Sequence, residues 1–484
     1  MSRLNNLQSW NNNQRAILIF GEQLWSPGRI IKECYEAGLQ VVGAKLFSDK
    51  SEDLRVKLER QTGMEALPQA KEIFPDDING TDVTTFDRLR RQYGEDWCVL
   101  PLNDYVTKYA AAVSAVTTEP CYPPESAEVV KRKHQLRGIW NRLASQSLMR
   151  LYPVEYCYLE RQDDGQMKRH ASPGFDGLPD RTGFIVKPDE LSSSIEIRYA
   201  ASKTEAIRLA SEVCDQLLSR WAEVGRSIGT EVRPRIVVET AIERSTALHP
   251  GAEFSVEFVS FAKQHHFVGV TQKWTGPNFV EIGHLFPAKS FPLALRPTLE
   301  TAIRALLDEL AVNYAVSHWE FIVTADERIA LVEAHLRPGG GRIMELVEGS
   351  TGRSPTAALC QALAHKAEDF SFVPERCCGL FWMVPQTPLP KVSQIDVPEE
   401  WRHTLNGHLY VNHEGIVGTP HWSHAADWLT RLVHVIVRGD DLDCVTKLCR
   451  QIAETIILSA PPGITPASTA LKLAIDESRC SSAV

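Results

Sequence analysis

The chain has 484 residues, 43% of them hydrophobic and 23% charged. That is apolar material for about three domain-sized cores, and it excludes both a disulfide-stapled miniprotein and a disordered tail. Its 52 lysines and arginines against 61 aspartates and glutamates leave a formal charge of −9, so the chain carries no overall basic footprint for nucleic acid.

No run approaches the roughly twenty apolar residues of a membrane-spanning helix, and the first residues lack the basic-then-apolar order of a secretory leader. Eleven scattered cysteines without paired Cys-x-x-Cys spacing fit reduced thiols, and a cytoplasmic location is expected. The adjacent Cys377 and Cys378 read as small buried apolar residues.

Residues 16–20 form an apolar strand, followed by Gly21, a helical pattern over 27–37 and a second strand over 39–43. This is a strand–helix–strand unit of a parallel sheet. Loop and helix are expected from there to 101–105, and the prolines between 120 and 124 read as a linker. From about residue 125 the pattern becomes mixed. Residues 204–221 place Ile207, Ala210, Cys214, Leu217 and Trp221 on one helical face, and residues 299–310 do the same with Ala302, Ile303, Leu306 and Leu310. Strand-like runs occupy 183–187, 235–239 and 253–258. Past residue 370 a third unit opens with the strand 379–384 and closes with a helix carrying Leu442, Val445, Cys449, Ile452 and Ile456 on one face. The stretch from Ser459 onward is expected to be partly mobile.

The most informative segment runs Ser317-His-Trp-Glu320-Phe-Ile-Val, then Thr-Ala-Asp-Glu-Arg, then Ile329-Ala-Leu-Val-Glu333-Ala-His335-Leu-Arg337-Pro-Gly-Gly-Gly-Arg342. Both flanks alternate, and a four-residue loop over 325–328 would join them as an antiparallel hairpin. In that register Glu320 faces Glu333 and His318 faces His335, on one side of the pleat. Opposed carboxylates repel unless something positive lies between them, and Mg²⁺ prefers such hard oxygen ligands. A wet surface hairpin would not carry Trp319, Phe321, Ile322, Leu331 and Val332. Arg337 and the glycine turn after it would add a fixed cation and free backbone N–H groups for phosphates.

These residues resemble the C-terminal signature of the ATP-grasp superfamily, a Glu on one strand and Glu-x-Asn-x-Arg-x-Gly-Gly on the next. This chain reads Glu333-Ala-His335-Leu-Arg337-Pro-Gly339-Gly340, with His335 where Asn usually completes the metal shell. The resemblance implies an α/β chain with an α+β core and three domains: an N-terminal parallel-sheet domain (1–124), an ATP-grasp domain (125–368) whose lid spans about 150–245, and a C-terminal α+β domain (369–484). It also implies ATP and Mg²⁺ (or Mn²⁺) as cofactors, with Glu320, Glu333 and His335 at the metal.

Other pieces of the superfamily pattern lie upstream in order. Lys133, with Lys131 as the alternative, fits the lysine that approaches the phosphates from the opening helix. Lys187 ends a strand and fits the lysine on the α- and β-phosphates; the apolar run before it leaves that charge no other evident partner. Ser192, Ser193 and Ser194 occupy the place of the glycine-rich phosphate loop. Glu239 and Ile242 resemble the hinge that holds adenine, and Glu253 the acid that accepts from ribose hydroxyls.

Within the superfamily the likeness is to carboxylate–amine ligases of the L-amino-acid ligase type, which form dipeptides. There a similar lysine, here Lys273, and Glu281-x-Gly-His284-x-x-Pro287 lie against the amino-acid pocket. The resemblance therefore implies catalytic roles for Arg337, Lys273, Glu281 and His284, and a carboxylate and an amine as small-molecule partners. Homodimers are common in the superfamily, which makes a second copy of the chain a further candidate partner. The alternatives are a ligase that joins a non-amino-acid carboxylate to an amine, and a nucleotide-binding scaffold without catalysis.

Overall fold

The structure, a computed structural model, describes residues 15–20, 27–44, 72–73, 96–104, 106–146, 150–162, 164–190, 196–228, 234–248, 251–276, 279, 281–366, 369–387, 389, 392–404, 409–411 and 433–478. The Gly21 turn lies outside them.

At the N-terminal end, β1 (Ala16–Phe20), β2 (Gln40–Ala44), β3 (Glu72–Ile73) and β4 (Trp97–Pro101) form a parallel sheet in the order β3-β2-β1-β4. The helix Pro27–Ala37 makes the crossover from β1 to β2, as the sequence pattern predicts. β4 is a correction, since that stretch reads as loop and helix. Its five residues WCVLP are all buried. A strand covered on both faces shows no period-two alternation, and the closing proline argues against one.

The proline-rich segment is a second correction. Cys121 and Tyr122 are buried, and the Cys121 carbonyl accepts from Asn313 N at 2.8 Å. Pro124 occupies the first turn of the helix Pro124–Lys131, where its missing N–H costs nothing, so this segment is packed and its last proline starts a helix.

A separate sheet unit follows: β5 (Tyr156–Arg161), β6 (Met167–Ala171), β7 (Phe184–Pro188), β8 (Arg198–Ala200), the helix Lys203–Ile228 and β9 (Arg235–Thr240). Its antiparallel sheet runs β6-β5-β9-β7-β8 and has its own apolar core, in which Ala210, Cys214 and Leu217 of the helix meet Phe184, Val186 and Val238.

The largest sheet takes in β10 (Glu253–Phe261), β11 (Gln264–Thr275), β12 (Glu281–Phe286), β13 (Ala315–Val323), β14 (Ile329–His335) and β15 (Cys377–Pro385). It continues through β16 (Gln394–Asp396), β17 (Leu409–Val411), β18 (Val433–Gly439), β19 (Ile457–Ser459) and β20 (Ser468–Leu473). Its central order is β14-β13-β10-β11-β12-β15, all antiparallel, so the C-terminal strands extend the sheet that bears the carboxylate hairpin. Beneath it the helix Arg296–Glu309 buries Leu299, Ala302, Ile303 and Leu306 in a core continuous with Ile17, Val41 and Cys98 of the N-terminal sheet.

The stretch after Ser459, expected to be partly mobile, contains β20, which pairs with β15 and β19 and has Leu471 and Leu473 fully buried, while residues 479–484 lie outside the described residues. Alternation over only six residues is too short to separate from a loop by pattern alone. Cys377 and Cys378 are buried in β15, as expected, and burial pushes the Cys378 thiol up to about 12. Among the described residues no helix is long and apolar enough to cross a membrane.

Candidate functional site

β10 alternates Glu253, Ser255 and Glu257 with Phe254, Val256 and Phe258, yet all of these are buried. Directly opposed side chains share a face of a sheet. Glu320 lies opposite Ser255 and Glu333, His318 opposite Glu257 and His335, and Lys273 opposite Glu253 and His284. One face of five strands is thus a buried polar surface, which must neutralise itself internally.

The hairpin pairs Glu320 with Glu333 and His318 with His335, as predicted, but by a different route. The loop has three residues, not four. Thr324 N donates to Arg328 O at 2.8 Å, and Glu327 takes a left-handed φ of 57° at the last loop position. Phe321 then pairs with Leu331, Val332 has no opposite residue, and this bulge restores the register at the carboxylates.

The opposed carboxylates are surrounded by protein cations. Lys273, 1% exposed, is ion-paired with both Glu320 and Glu281. His318 bridges Glu320 Oε1 at 2.9 Å and Glu257 Oε1 at 2.6 Å. Lys133 Nζ is 3.3 Å from Glu333 Oε2, and His335 Nε2 is 3.3 Å from Glu333 Oε1. Burial alone would lower the Lys273 ammonium, but Glu281, Glu320 and Glu253 outweigh it and raise it above its ordinary value. Burial likewise opposes charging of His318, and Glu257 with Glu320 raises it to about 9. Burial would raise the Glu333 carboxyl, yet Lys133, His335 and Lys187 hold it below the usual carboxylate range.

One donor atom each from Glu320, Glu333 and His335 lie within 4.8 Å of one another. Two carboxylate oxygens suit a hard divalent cation, while the imidazole departs from an all-oxygen shell, so the residues fit a divalent ion with one nitrogen donor. Next to them, Asp104 accepts from His335 Nδ1 at 2.7 Å and from Arg337 Nε at 2.9 Å and Nη2 at 2.6 Å. Arg337 Nη1 donates to Pro338 O at 2.8 Å.

Lys187 does have a partner, contrary to expectation: its Nζ is 2.6 Å from Glu239 Oε1. β7 and β9 are neighbours with Ile185 opposite Glu239, so Lys187 two residues on stands diagonally on the same face. Arg137, buried, donates to the same carboxylate at 3.0 Å and to the Leu331 carbonyl. Burial would raise the Glu239 carboxyl, but Arg137 and Lys187 lower it; burial lowers Lys187, only partly offset by Glu239. Lys133 reaches Glu333, whereas Lys131 Nζ lies 3.9 Å from Glu190. Asp104, Lys133, Glu190, Glu333 and His335 line a common cleft.

Ile242, partly buried, follows β9 beside the Ala241 N to Gly183 O hydrogen bond. Glu253 pairs with Arg244 at 3.1 Å, and its carboxyl is raised first by burial and further by Glu320 and Glu281. Ser192, Ser193 and Ser194 lie outside the described residues. His284 is fully buried, its Nδ1 donating to Gly341 O at 3.3 Å, its Nε2 3.6 Å from Glu281 Oε2, and its ring edge-on to Trp382. Gly341, at φ +58°, has to be glycine, since a Cβ there would stand 2.5 Å from His284 Cε1.

Sequence reasoning missed Asp104, Arg137 and Glu257 and gave His318 no role. The alternation of Glu253, Ser255 and Glu257 was a readable signal for Glu257. Arg137 follows Lys133 by one helical turn, which puts both on one helix face. Nothing in the sequence ties Asp104 to a strand more than two hundred residues later.

No protein-family model and no curated protein matches the sequence. Solved structures do match its fold. An L-amino acid ligase from Bacillus licheniformis is 15% identical with a TM-score of 0.65, over 93% of this chain and 99% of its own. A phosphoribosylglycinamide synthetase from Anaerococcus prevotii is 15% identical with a TM-score of 0.61, over 93% and 100%. The biotin carboxylase domain of a 2-oxoglutarate carboxylase from Hydrogenobacter thermophilus, solved with MgADP and bicarbonate, is 12% identical with a TM-score of 0.62, over 95% and 92%. At such identities the likeness is one of fold along nearly the whole chain.

Proposed function

From a chain with the ATP-grasp fold, we propose that this protein is an ATP- and Mg²⁺-dependent carboxylate–amine ligase, with amino acids as substrates and a dipeptide or related amide as product. The observation that carries the reading is the opposed Glu320 and Glu333 pair, flanked by Lys133 and Lys273 on a buried polar sheet face.

Lys133 and Lys187 bind the phosphates, Glu239 and the backbone near Ile242 hold adenine, and Glu253 accepts from ribose. Ser192, Ser193 and Ser194 cover the phosphates. A divalent cation held by Glu320, Glu333 and His335 supplies charge neutralisation at the phosphates. The substrate carboxylate oxygen attacks the γ-phosphorus as the bond to the β-phosphate oxygen breaks, yielding an acyl phosphate and ADP, with Lys133, Lys187 and Arg337 spreading the transferring charge. The amine then attacks the acyl carbon and phosphate leaves. Arg337 steadies the oxyanion, and Glu281 or His284, beside Lys273, takes the amine proton. Closure of the 150–245 lid keeps water from the acyl phosphate.

A screen of amino-acid pairs that follows ADP, AMP and phosphate separately tests this reading. Phosphate and ADP in equal amounts, dependent on both substrates, are expected. AMP formation would overturn it in favour of an adenylating enzyme.

A further inference from the structure

Asp104 belongs to none of the strands that bear the carboxylates. It follows β4 in the N-terminal parallel sheet, yet its carboxylate holds both His335 and Arg337. A carboxylate only accepts, so His335 Nδ1 donates to Asp104 at 2.7 Å, and Nε2 is the nitrogen directed toward Glu333, from which a cation bound between the carboxylates would displace the proton. Metal-binding imidazoles are oriented in this way, the far ring nitrogen donating to a carboxylate behind it. His335 is 8% exposed, so water has little access to compete for Nε2. The same carboxylate clamps Arg337 in a fork, tying the ring and the guanidinium to one anchor.

Nitrogen donors favour first-row transition metals, whereas Mg²⁺ demands near-octahedral oxygen at about 2.0–2.1 Å. We propose that Asp104 is a positioning residue that presents His335 as a nitrogen ligand, and that this centre selects Mn²⁺ over Mg²⁺ by a directly coordinated imidazole. The inference rests on the reading of the hairpin as a divalent-cation site and names the metal that site prefers.

The test uses the full chain with Mn²⁺ and ADP, the bound metal followed by pulsed electron paramagnetic resonance and its affinity by titration of the free Mn²⁺ signal. The wild type should show a ¹⁴N coupling from a coordinated ring nitrogen. His335→Asn should still bind Mn²⁺ but lose that coupling, and its preference for Mn²⁺ over Mg²⁺ should shrink. Asp104→Asn should weaken Mn²⁺ binding about 10–100-fold and diminish the coupling. Wild-type protein that binds Mn²⁺ without ¹⁴N coupling overturns the inference and leaves the hairpin site standing. Failure of the wild type to bind Mn²⁺ at all overturns the hairpin site and this inference together. Because the decisive comparison is between wild type and His335→Asn, a misfolded Asp104→Asn would not shield the proposal.

Discussion

The two faces of the strands β10, β11 and β13 are made from alternate residues of the same segments, and they do opposite work. On one face Phe254 stacks with Phe321 and meets Phe291 edge-on above the helix Arg296–Glu309. On the other, Glu253, Glu257, Lys273, His318 and Glu320 are buried too, but satisfied through ion pairs. Burial therefore does not separate core from site here. The apolar face gains from exclusion of water outright, whereas the charged face carries a desolvation cost that its pairing only offsets. A charged surface kept at that cost is where binding chemistry is to be sought.

The contrast breaks most directly at Phe254. Phe254→Ala should cost about 3–5 kcal/mol of stability by leaving a cavity under the sheet, while turnover per folded molecule changes far less. Denaturant unfolding beside a turnover assay checks both halves. Glu333→Ala should do the reverse, lowering ATP turnover by about 10²–10³ with a smaller loss of stability. Full turnover of that variant at ordinary Mg²⁺ would mean that the charged face is structural after all.

Legibility from sequence divides along the same line. Where apolar and polar residues alternate, as in β13 and β14, the pattern yields strands, register and the facing glutamates, because a shift of one residue would put charges in the core. It does not reveal how the register is reached: a three-residue loop plus a bulge at Val332 gives the same pairing as a four-residue loop without one. β4 is hidden for the opposite reason, being apolar throughout and so without a period. The partners of Asp104 and Arg137 could not be named, because Asp104 follows β4 and Arg137 lies on the helix Lys133–Gln146 while His335 and Glu239 come from strands distant in sequence, and pairing between such elements leaves no trace in local spacing.

A smaller charged cluster around Glu239 of β9 sharpens the comparison. Arg137 and Lys187 hold Glu239 below its ordinary value of 4.5 against the effect of burial. A carboxyl lowered in the folded state stabilises above its unfolded value, and that contribution is lost as pH falls through it. Glu239→Gln should therefore be less stable than wild type by about 2 kcal/mol at pH 7, with the gap closing below about pH 4.5. Melting temperatures of both proteins from pH 7 to pH 3.5 test this. A gap independent of pH would show that Glu239 contributes shape and not charge.

The finest distinction lies in two adjacent glycines of the turn after Arg337. A Cβ at Gly339 would stand 3.0 Å from His318 Nδ1 and 3.1 Å from Glu257 Oε2, so it would press on the buried ion pair behind Glu320. At Gly340 the only heavy atom a Cβ would meet is Arg337 Nη1, at 4.0 Å. Neither residue has a positive φ, so alanine carries no backbone strain at either position and the two variants differ only in what the methyl touches. Gly339→Ala should cost about 1 kcal/mol through overpacking, and Gly340→Ala should be near neutral. His318 and Glu257 sit between strands whose Cα positions are fixed by pairing, so neither ring nor carboxylate can retreat without breaking the 2.6 Å contact between them. Equal stability of the two variants would mean that the polar face yields to a methyl group, unlike the packed apolar face beneath it.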